Sequence, residues 1–156
     1  MPEADPLDPI AWLLGEWQGE GCGAYPTIAE FTYREDISFT RLRPDKPFAL
    51  YTQRTRLLPD DSPSHSETGY LRPTAAGGIE LVIAQPSGIV EVQEGSFVDG
   101  RLELDNIAIA RTTTAKEVTE VRRVFERRGD ELWYQVDMAA VGQPMGFHLE
   151  ATLHRA

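Results

Sequence analysis

The chain has 156 residues, and its 25 Asp and Glu residues outnumber its 15 Lys and Arg residues, which leaves a net charge of −10. This charge excludes a broad binding surface for nucleic acid or for an anionic membrane. The single cysteine excludes an internal disulfide and a multi-cysteine zinc site. No stretch approaches the roughly 18 apolar residues of a membrane span. We therefore expect one cytoplasmic domain over residues 1–156, with an acidic, proline-rich and flexible segment at residues 1–8.

The first element that the sequence predicts is a short helical turn over about residues 9–14. Asp8 is suited to its N-cap and Pro9 to its first helical position. The glycine-rich segment that follows, residues 15–21, surrounds Trp17. Glycines permit sharp bending and close backbone contact in a first strand, so we expect Trp17 to plug one end of a barrel.

Most of the remaining chain alternates apolar and polar residues with period two, which is typical of half-buried strands. The clearest runs are residues 31–40, 79–83, 132–138 and 147–153. Turn-forming residues separate the runs, and Asp99-Gly100 suits a tight hairpin in which both central residues have positive φ. The alternation slips in phase between Leu104 and Ile107, which predicts a β-bulge. Eight to ten short strands joined by hairpin-length turns predict an antiparallel sandwich or barrel.

Few residues indicate chemistry on their own. The common hydrolase, nucleotide-binding and zinc motifs are absent. No carboxylate pair stands out from an acidic surface, and residues 64–67 are interpreted as the polar flank of a hairpin. His148 and His154 share strand parity and lie about 20 Å apart, so they cannot share one metal ion. Both lie opposite the apolar side chains of residues 147–153, and alternation alone leaves open whether either histidine faces a pocket.

Several segments together resemble the nitrobindin family. Residues 15–21, Gly-Glu-Trp-Gln-Gly-Glu-Gly, fit the Gly-x-Trp-x-Gly-x-Gly signature of that family, and Tyr-Pro-Thr-Ile follows at residues 25–28. The likeness continues in the family's order at residues 65–72, 82–88, 90–92, 115–117 and 143–149. These segments span nearly the whole chain, which makes the resemblance far more specific than the first motif alone.

The resemblance implies an all-β fold, a ten-stranded antiparallel barrel like those of lipocalins and fatty-acid-binding proteins. It implies one ferric b-type haem, held at the mouth of the barrel. His148 precedes Leu149 and follows a Gln-Pro step, as the family's axial iron ligand does, whereas His154 does not. The remaining haem-binding positions are a contact at Thr27 and, on the open side of the haem, His65, Gln85 and Met138.

Members of this family are associated with ferric haem that binds nitric oxide reversibly and converts peroxynitrite to nitrate. The resemblance therefore implies an isomerase with small-molecule ligands, and the acidic charge leads us to expect no nucleic-acid or membrane partner. Two alternatives remain open: a haem-based nitric oxide sensor or carrier without turnover, and a lipocalin-like carrier of a small ligand without iron. An anionic substrate calls for a locally positive rim, for which Lys116 and Arg122 are the candidates.

Overall fold

A computed structural model describes residues 1–156 as a closed barrel of ten antiparallel strands. The strands follow one another around the barrel in chain order, and the first pairs with the last. The fold class, strand number and antiparallel pairing that the sequence predicts are confirmed. No helix of the structure has the length and apolar character that crossing a membrane requires. The strands are β1 (Gly15–Tyr25), β2 (Ile28–Arg41), β3 (Ala49–Leu57), β4 (Ser62–Pro73), β5 (Ile79–Gln85), β6 (Ile89–Val98), β7 (Arg101–Arg111), β8 (Val118–Arg128), β9 (Glu131–Ala140) and β10 (Gly146–Arg155).

One end of the barrel is closed by a 3₁₀-helix, Asp8–Leu13. Ile10 and Leu13 are completely buried and belong to the same apolar cluster as the inward side chains of the strands. The indole Nε1 of Trp17 donates a 2.9 Å hydrogen bond to the carbonyl oxygen of Leu13. The helix and Trp17 therefore form the plug together.

The start of this helix differs from the prediction. Leu7 rather than Asp8 is the N-cap residue, and no side chain caps the helix. Instead the Asp5 carboxylate accepts a 2.9 Å hydrogen bond from the backbone N–H of Leu7 and pairs with Arg41 at 2.6 Å. Leu7 is completely buried. These contacts anchor the second half of residues 1–8, the segment that the sequence predicts to be flexible.

Two local predictions are confirmed by the backbone. Asp99 and Gly100 have φ angles of 53° and 76°, as a tight hairpin with two positive φ angles requires. The register between β6 and β7 shifts by one residue after Val92, which leaves Ile107 as the extra residue of a bulge. Ile107 is consequently turned outward and is 61% exposed.

Glycine is required in β1 by the closeness of its neighbours. A Cβ atom added at Gly21 would lie 2.6 Å from the ring of Tyr33 and 2.7 Å from the Cβ atom of Ala151. Those two residues lie on β2 and β10, which flank β1 in the barrel. The glycine-rich first strand therefore lets large side chains from both neighbours fill the interior.

The other end of the barrel is open. β7 and β8 pair only between Arg101–Asp105 and Arg122–Glu126, so the second half of β7 leaves β8. At the point of separation the side-chain oxygen of Asn106 accepts a 2.8 Å hydrogen bond from the N–H of Val121. The strand ends at this end of the barrel surround the cavity described below.

Leu13→Ala tests whether the helix is an integral part of the core. The side chain is completely buried, so its truncation is expected to lower the free energy of unfolding by about 2–5 kcal/mol. Ile107→Ala removes the same number of side-chain carbon atoms from an exposed site and is expected to cost less than about 0.5 kcal/mol. Urea unfolding monitored by tryptophan fluorescence measures both. Equal losses in the two variants would contradict the packing described for the closed end.

Candidate functional site

His148 lies at a bulge near the start of β10. On the β9 side, Phe147 pairs with Asp137 and Leu149 with Val136, so His148 is an extra residue without a partner. The bulge shifts the phase of the strand, and His148 and Leu149 both border an internal cavity. Phe147 is 38% exposed. The prediction that Phe147 shares the inward face of Leu149 is therefore wrong, because alternation does not continue through a bulge.

The orientation of the His148 ring is fixed by contacts with β1. Its Nδ1 atom lies 3.2 Å from the carbonyl oxygen of Ala24. A carbonyl oxygen only accepts, so Nδ1 carries the hydrogen and Nε2 keeps its lone pair. The ring of Tyr25 packs edge-on against the imidazole with centroids 5.7 Å apart, and the Tyr25 hydroxyl accepts a hydrogen bond from the backbone N–H of Ala140.

Burial also lowers the pKa of His148 below its ordinary value. Desolvation disfavours the charged imidazolium, so the neutral ring is the dominant form at neutral pH. An oriented, neutral imidazole whose second nitrogen donates to a backbone carbonyl is the usual state of a histidine that binds a metal ion. The site therefore leaves the lone pair of His148 Nε2 available at the border of the cavity.

The cavity beside His148 has a volume of about 220 Å³ and is open at this end of the barrel. Three further predicted site residues, His65, Gln85 and Met138, also line it. Thr27 does not line the cavity; it is exposed in the turn between β1 and β2. Apolar side chains from the open ends of the strands form part of the wall, among them Phe31, Ile89, Val118 and Leu149.

Deeper in the barrel lies a network of buried charges that the sequence analysis missed. Arg123, Glu67 and Glu91 are only 6%, 4% and 1% exposed. The guanidinium of Arg123 lies 2.7 Å from the nearest oxygen of each carboxylate. Burial alone would raise the pKa of Glu67, but the charge of the adjacent guanidinium holds that pKa well below its usual range. Arg123 and Glu67 therefore form a charged pair inside the barrel.

A third buried carboxyl group, that of Glu35, has no ion-pair partner. Tyr134 and Gln53 both donate hydrogen bonds to its Oε2 atom, while Oε1 has no partner. Burial raises the pKa of Glu35 to about 8, against the opposing effect of these two hydrogen bonds. The Glu35 carboxyl is therefore mostly protonated at neutral pH.

These carboxyl groups correct two sequence interpretations. Not all acidic residues belong to a solvated surface, and residues 64–67 are more than a polar hairpin flank because Glu67 is buried. A signal was available in the alternation. Glu35 interrupts the apolar inward positions of β2, and Glu91 does the same on β6 after Ile89. A charged residue at an inward position requires a partner or a change of protonation.

The candidates for a positive rim are also corrected. Arg122 points outward from β8 and pairs with Asp105 at 2.9 Å. Lys116 is exposed in the loop between β7 and β8, and neither residue lines the cavity. The cation inside the barrel is Arg123, the next residue along β8, because successive side chains of a strand point to opposite faces.

The fold and the site together define a class of protein: a closed β-barrel with an internal cavity that opens at a mouth carrying one oriented, neutral histidine. No group of three or more His, Cys, Asp and Glu side chains is placed to hold a metal ion. A single histidine with a free Nε2 instead suits a metal that arrives with other ligands of its own, as haem iron does. The apolar side chains around the mouth suit the faces of a porphyrin.

Comparison with known proteins identifies the family. The sequence pattern described as THAP4-like, heme-binding beta-barrel domain matches residues 6–155. The chain is 48% identical to peroxynitrite isomerase 2 of Mycobacterium marinum over 153 residues, which cover 96% of this chain and 94% of that protein. It is 49% identical to the peroxynitrite isomerase of Mycobacterium leprae with the same coverage. The chain therefore belongs to the THAP4-like heme-binding β-barrel family, and its resemblance to the nitrobindins is confirmed.

The same barrel is found in a solved structure. The crystal structure of Rv2717c from M. tuberculosis matches this chain with a TM-score of 0.89 at 46% sequence identity. The match covers 99% of each chain. Sequence and structure thus agree on the family over nearly the full length.

Glu35→Gln is expected to remove a pH dependence of stability. The pKa of Glu35 rises from an ordinary value of 4.5 to about 8 in the folded state. The folded state therefore binds more protons between these pH values, and the free energy of unfolding falls as the pH rises through them. Glutamine keeps the acceptor for Tyr134 and Gln53 without the charge, so the variant should be more stable than wild type by about 2–4 kcal/mol at a pH of about 9.

Urea unfolding over a pH range of about 5 to 9 measures this slope. Glu94→Gln removes a carboxylate from an exposed position of β6 and serves as the matched control, which should keep the wild-type slope. A Glu35→Gln variant with the same slope as wild type would contradict the buried, protonated carboxyl group.

Proposed function

We propose that this protein is a haem-dependent peroxynitrite isomerase, with His148 as the axial ligand of the iron. The observation that carries the proposal is the state of His148: neutral, oriented by the Ala24 carbonyl group, and with Nε2 free beside an open cavity. Relatives at 48% and 49% identity over nearly the whole chain are peroxynitrite isomerases by name, which supports the reaction assigned.

We further infer that the haem is of the b type, ferric, and bound once per chain. The chain has one cysteine, whereas covalent c-type attachment uses two, and one histidine borders the mouth in the orientation of a ligand. When bound, ferric haem supplies a Lewis-acidic iron with one position open to a small anion or to nitric oxide.

The chain's own residues have separate roles around that group. Ala24 and Tyr25 hold the His148 ring, which keeps the proton on Nδ1 and away from the ligating atom. His65 and Gln85 supply polar atoms on the open side, and Met138 supplies an apolar contact. Thr27, on the exposed turn after Tyr25, is assigned a contact at the rim.

The inner charges determine how far an anion enters. The single cation, Arg123, is matched by the carboxylates of Glu67 and Glu91 at 2.7 Å each. One positive charge against two negative charges gives the inner end no net attraction for an anion. Peroxynitrite would therefore stay at the mouth, beside the polar atoms of His65 and Gln85.

Reversible binding of nitric oxide is the second function that the site supports. The same open position next to a neutral histidine suits a diatomic ligand, and it requires no further residue. In this second function the barrel is a carrier or sensor of nitric oxide. Turnover of peroxynitrite distinguishes the isomerase from the nitric oxide carrier or sensor.

Haem binding is tested by titrating purified protein with hemin and following the Soret band. Changes to residues that only orient a metal ligand already cost about 10–100-fold in affinity, so His148→Ala is expected to lose at least about 100-fold. His154→Ala is the control, because His154 is 64% exposed at the far end of β10 and should bind hemin like wild type. Loss of the band in His154→Ala with retention in His148→Ala would overturn the ligand assignment.

Isomerisation is tested by stopped-flow decay of peroxynitrite with nitrate measured as the product. Haem-loaded wild type should accelerate the decay and raise the share of nitrate, and His148→Ala with an equal amount of hemin should not. Acceleration no greater than that of free hemin would contradict the isomerase and favour the nitric oxide carrier.

A further inference from the structure

The two polar side chains assigned to the open side of the haem are connected inside the barrel. His65 Nε2 lies 3.2 Å from Glu67 Oε2, and Gln85 Nε2 donates a short hydrogen bond to Glu91 Oε2. Glu67 and Glu91 in turn both bind Arg123. The chain of contacts His65–Glu67–Arg123–Glu91–Gln85 therefore joins strands β4, β8, β6 and β5 through one guanidinium group.

The guanidinium at the centre is held on two sides. Nη1 and Nη2 of Arg123 donate to the two oxygens of Glu67 at 2.7 and 3.1 Å. Nε and Nη2 donate to the two oxygens of Glu91 at 3.0 and 2.7 Å. Paired bonds of this kind fix the plane of the carboxylate as well as its distance. The rigid guanidinium group of Arg123 thus fixes two carboxylates on different strands.

Each carboxylate has further donors that complete its coordination. Tyr51 donates to Glu67 at 2.6 Å, and Gln93 donates to Glu91 at 2.9 Å. Arg123 donates to both carboxylates, and His65 and Gln85 each donate to one of them. Every oxygen of Glu67 and Glu91 therefore accepts two hydrogen bonds, which is the full capacity of a carboxylate. Neither carboxylate can rotate without losing several bonds in a buried environment.

This saturation determines which atoms the outer side chains present to the cavity. A carboxylate only accepts, so Nε2 of His65 carries a hydrogen toward Glu67 and Nδ1 is the nitrogen left for a ligand. One N–H of the Gln85 amide is used by Glu91, and the second remains available. The network therefore fixes both the position and the tautomer of the polar groups at the site.

We propose that Arg123 is a positioning residue for the open face of the haem. Arg123 holds His65 in place through Glu67, and it holds Gln85 in place through Glu91. The inference rests on the proposed function, because it takes His65 and Gln85 as the groups that meet a ligand of the iron. Arg123 contacts neither of them directly. A single change at Arg123 should therefore release both side chains, although they lie on different strands.

The direct test is NMR spectroscopy of the haem-free protein, with the ring signals of His65 and the side-chain amide signals of Gln85 as readouts. Arg123→Gln should shift both sets of signals away from their wild-type positions. Glu67→Gln should act mainly on His65, and Glu91→Gln mainly on Gln85. Arg122→Gln is the matched control, since Arg122 points outward to Asp105, and it should move neither set. Wild-type signals for both residues in a folded Arg123→Gln variant would overturn the proposal.

Arg123→Lys keeps the positive charge but lacks the planar guanidinium group. It also provides a test if Arg123→Gln does not fold. Because lysine cannot bind two carboxylates bidentately, it too should shift the signals of His65 and Gln85. Wild-type signals in Arg123→Lys would show that charge alone is sufficient and would overturn a role for the planar guanidinium group.

The consequence for ligand binding is measured by fluoride affinity of the ferric, haem-loaded protein. Fluoride is a strong hydrogen-bond acceptor, and the second N–H of Gln85 is the donor that Arg123 holds in place through Glu91. Release of this donor should weaken fluoride binding by about tenfold in Arg123→Gln. Gln85→Ala should then cost less fluoride affinity in the Arg123→Gln background than in wild type, because this donor is already released. Fully additive losses would contradict the positioning role. If hemin does not bind at all, the proposed function fails, whereas the NMR readout still decides the role of Arg123.

Discussion

The hydrogen bond from Nδ1 of His148 to the carbonyl oxygen of Ala24, 3.2 Å long, connects the fold to the proposed chemistry. It depends on irregularities in neighbouring strands. His148 is the extra residue of β10 opposite β9, and the pairing of β1 with β2 shifts register between Gly23 and Tyr25, on either side of Ala24. β1 and β10 remain in regular register from Trp17 to Gly23, so the barrel holds the two irregular segments side by side. The imidazole of His148 is thus oriented by backbone geometry in a closed sheet.

The interior of the barrel changes character along its axis. Apolar side chains and the helix Asp8–Leu13 fill the closed end, the ions around Arg123 lie at the middle, and the cavity opens beyond them. A buried ion cluster costs desolvation energy that an apolar core of the same size does not. Its presence is therefore better explained by the side chains that it holds than by stability. Glu35 avoids the cost of a buried, unpaired charge by being protonated, which also keeps a further negative charge away from Glu67.

The barrel was predictable because period-two alternation and turn residues report directly on strands with two unlike faces. The site was less accessible, because parity arguments assume a regular strand and His148 lies in a bulge. Only the family motifs select His148, and they do so without explaining its orientation. The ion network depends on contacts between distant strands, as in the pairing of Arg123 with Glu67, and no local pattern encodes such contacts. Glu35 and Glu91 were the detectable signs, as charged residues at inward positions of β2 and β6.

Anomalous diffraction at the iron absorption edge, from a crystal of the haem-loaded protein, tests the central claim most directly. The account predicts one strong iron peak per chain, within bonding distance of Nε2 of His148, with Nδ1 still hydrogen-bonded to the Ala24 carbonyl oxygen. An iron peak bonded to His65 or His154, or located outside the mouth of the barrel, would contradict it.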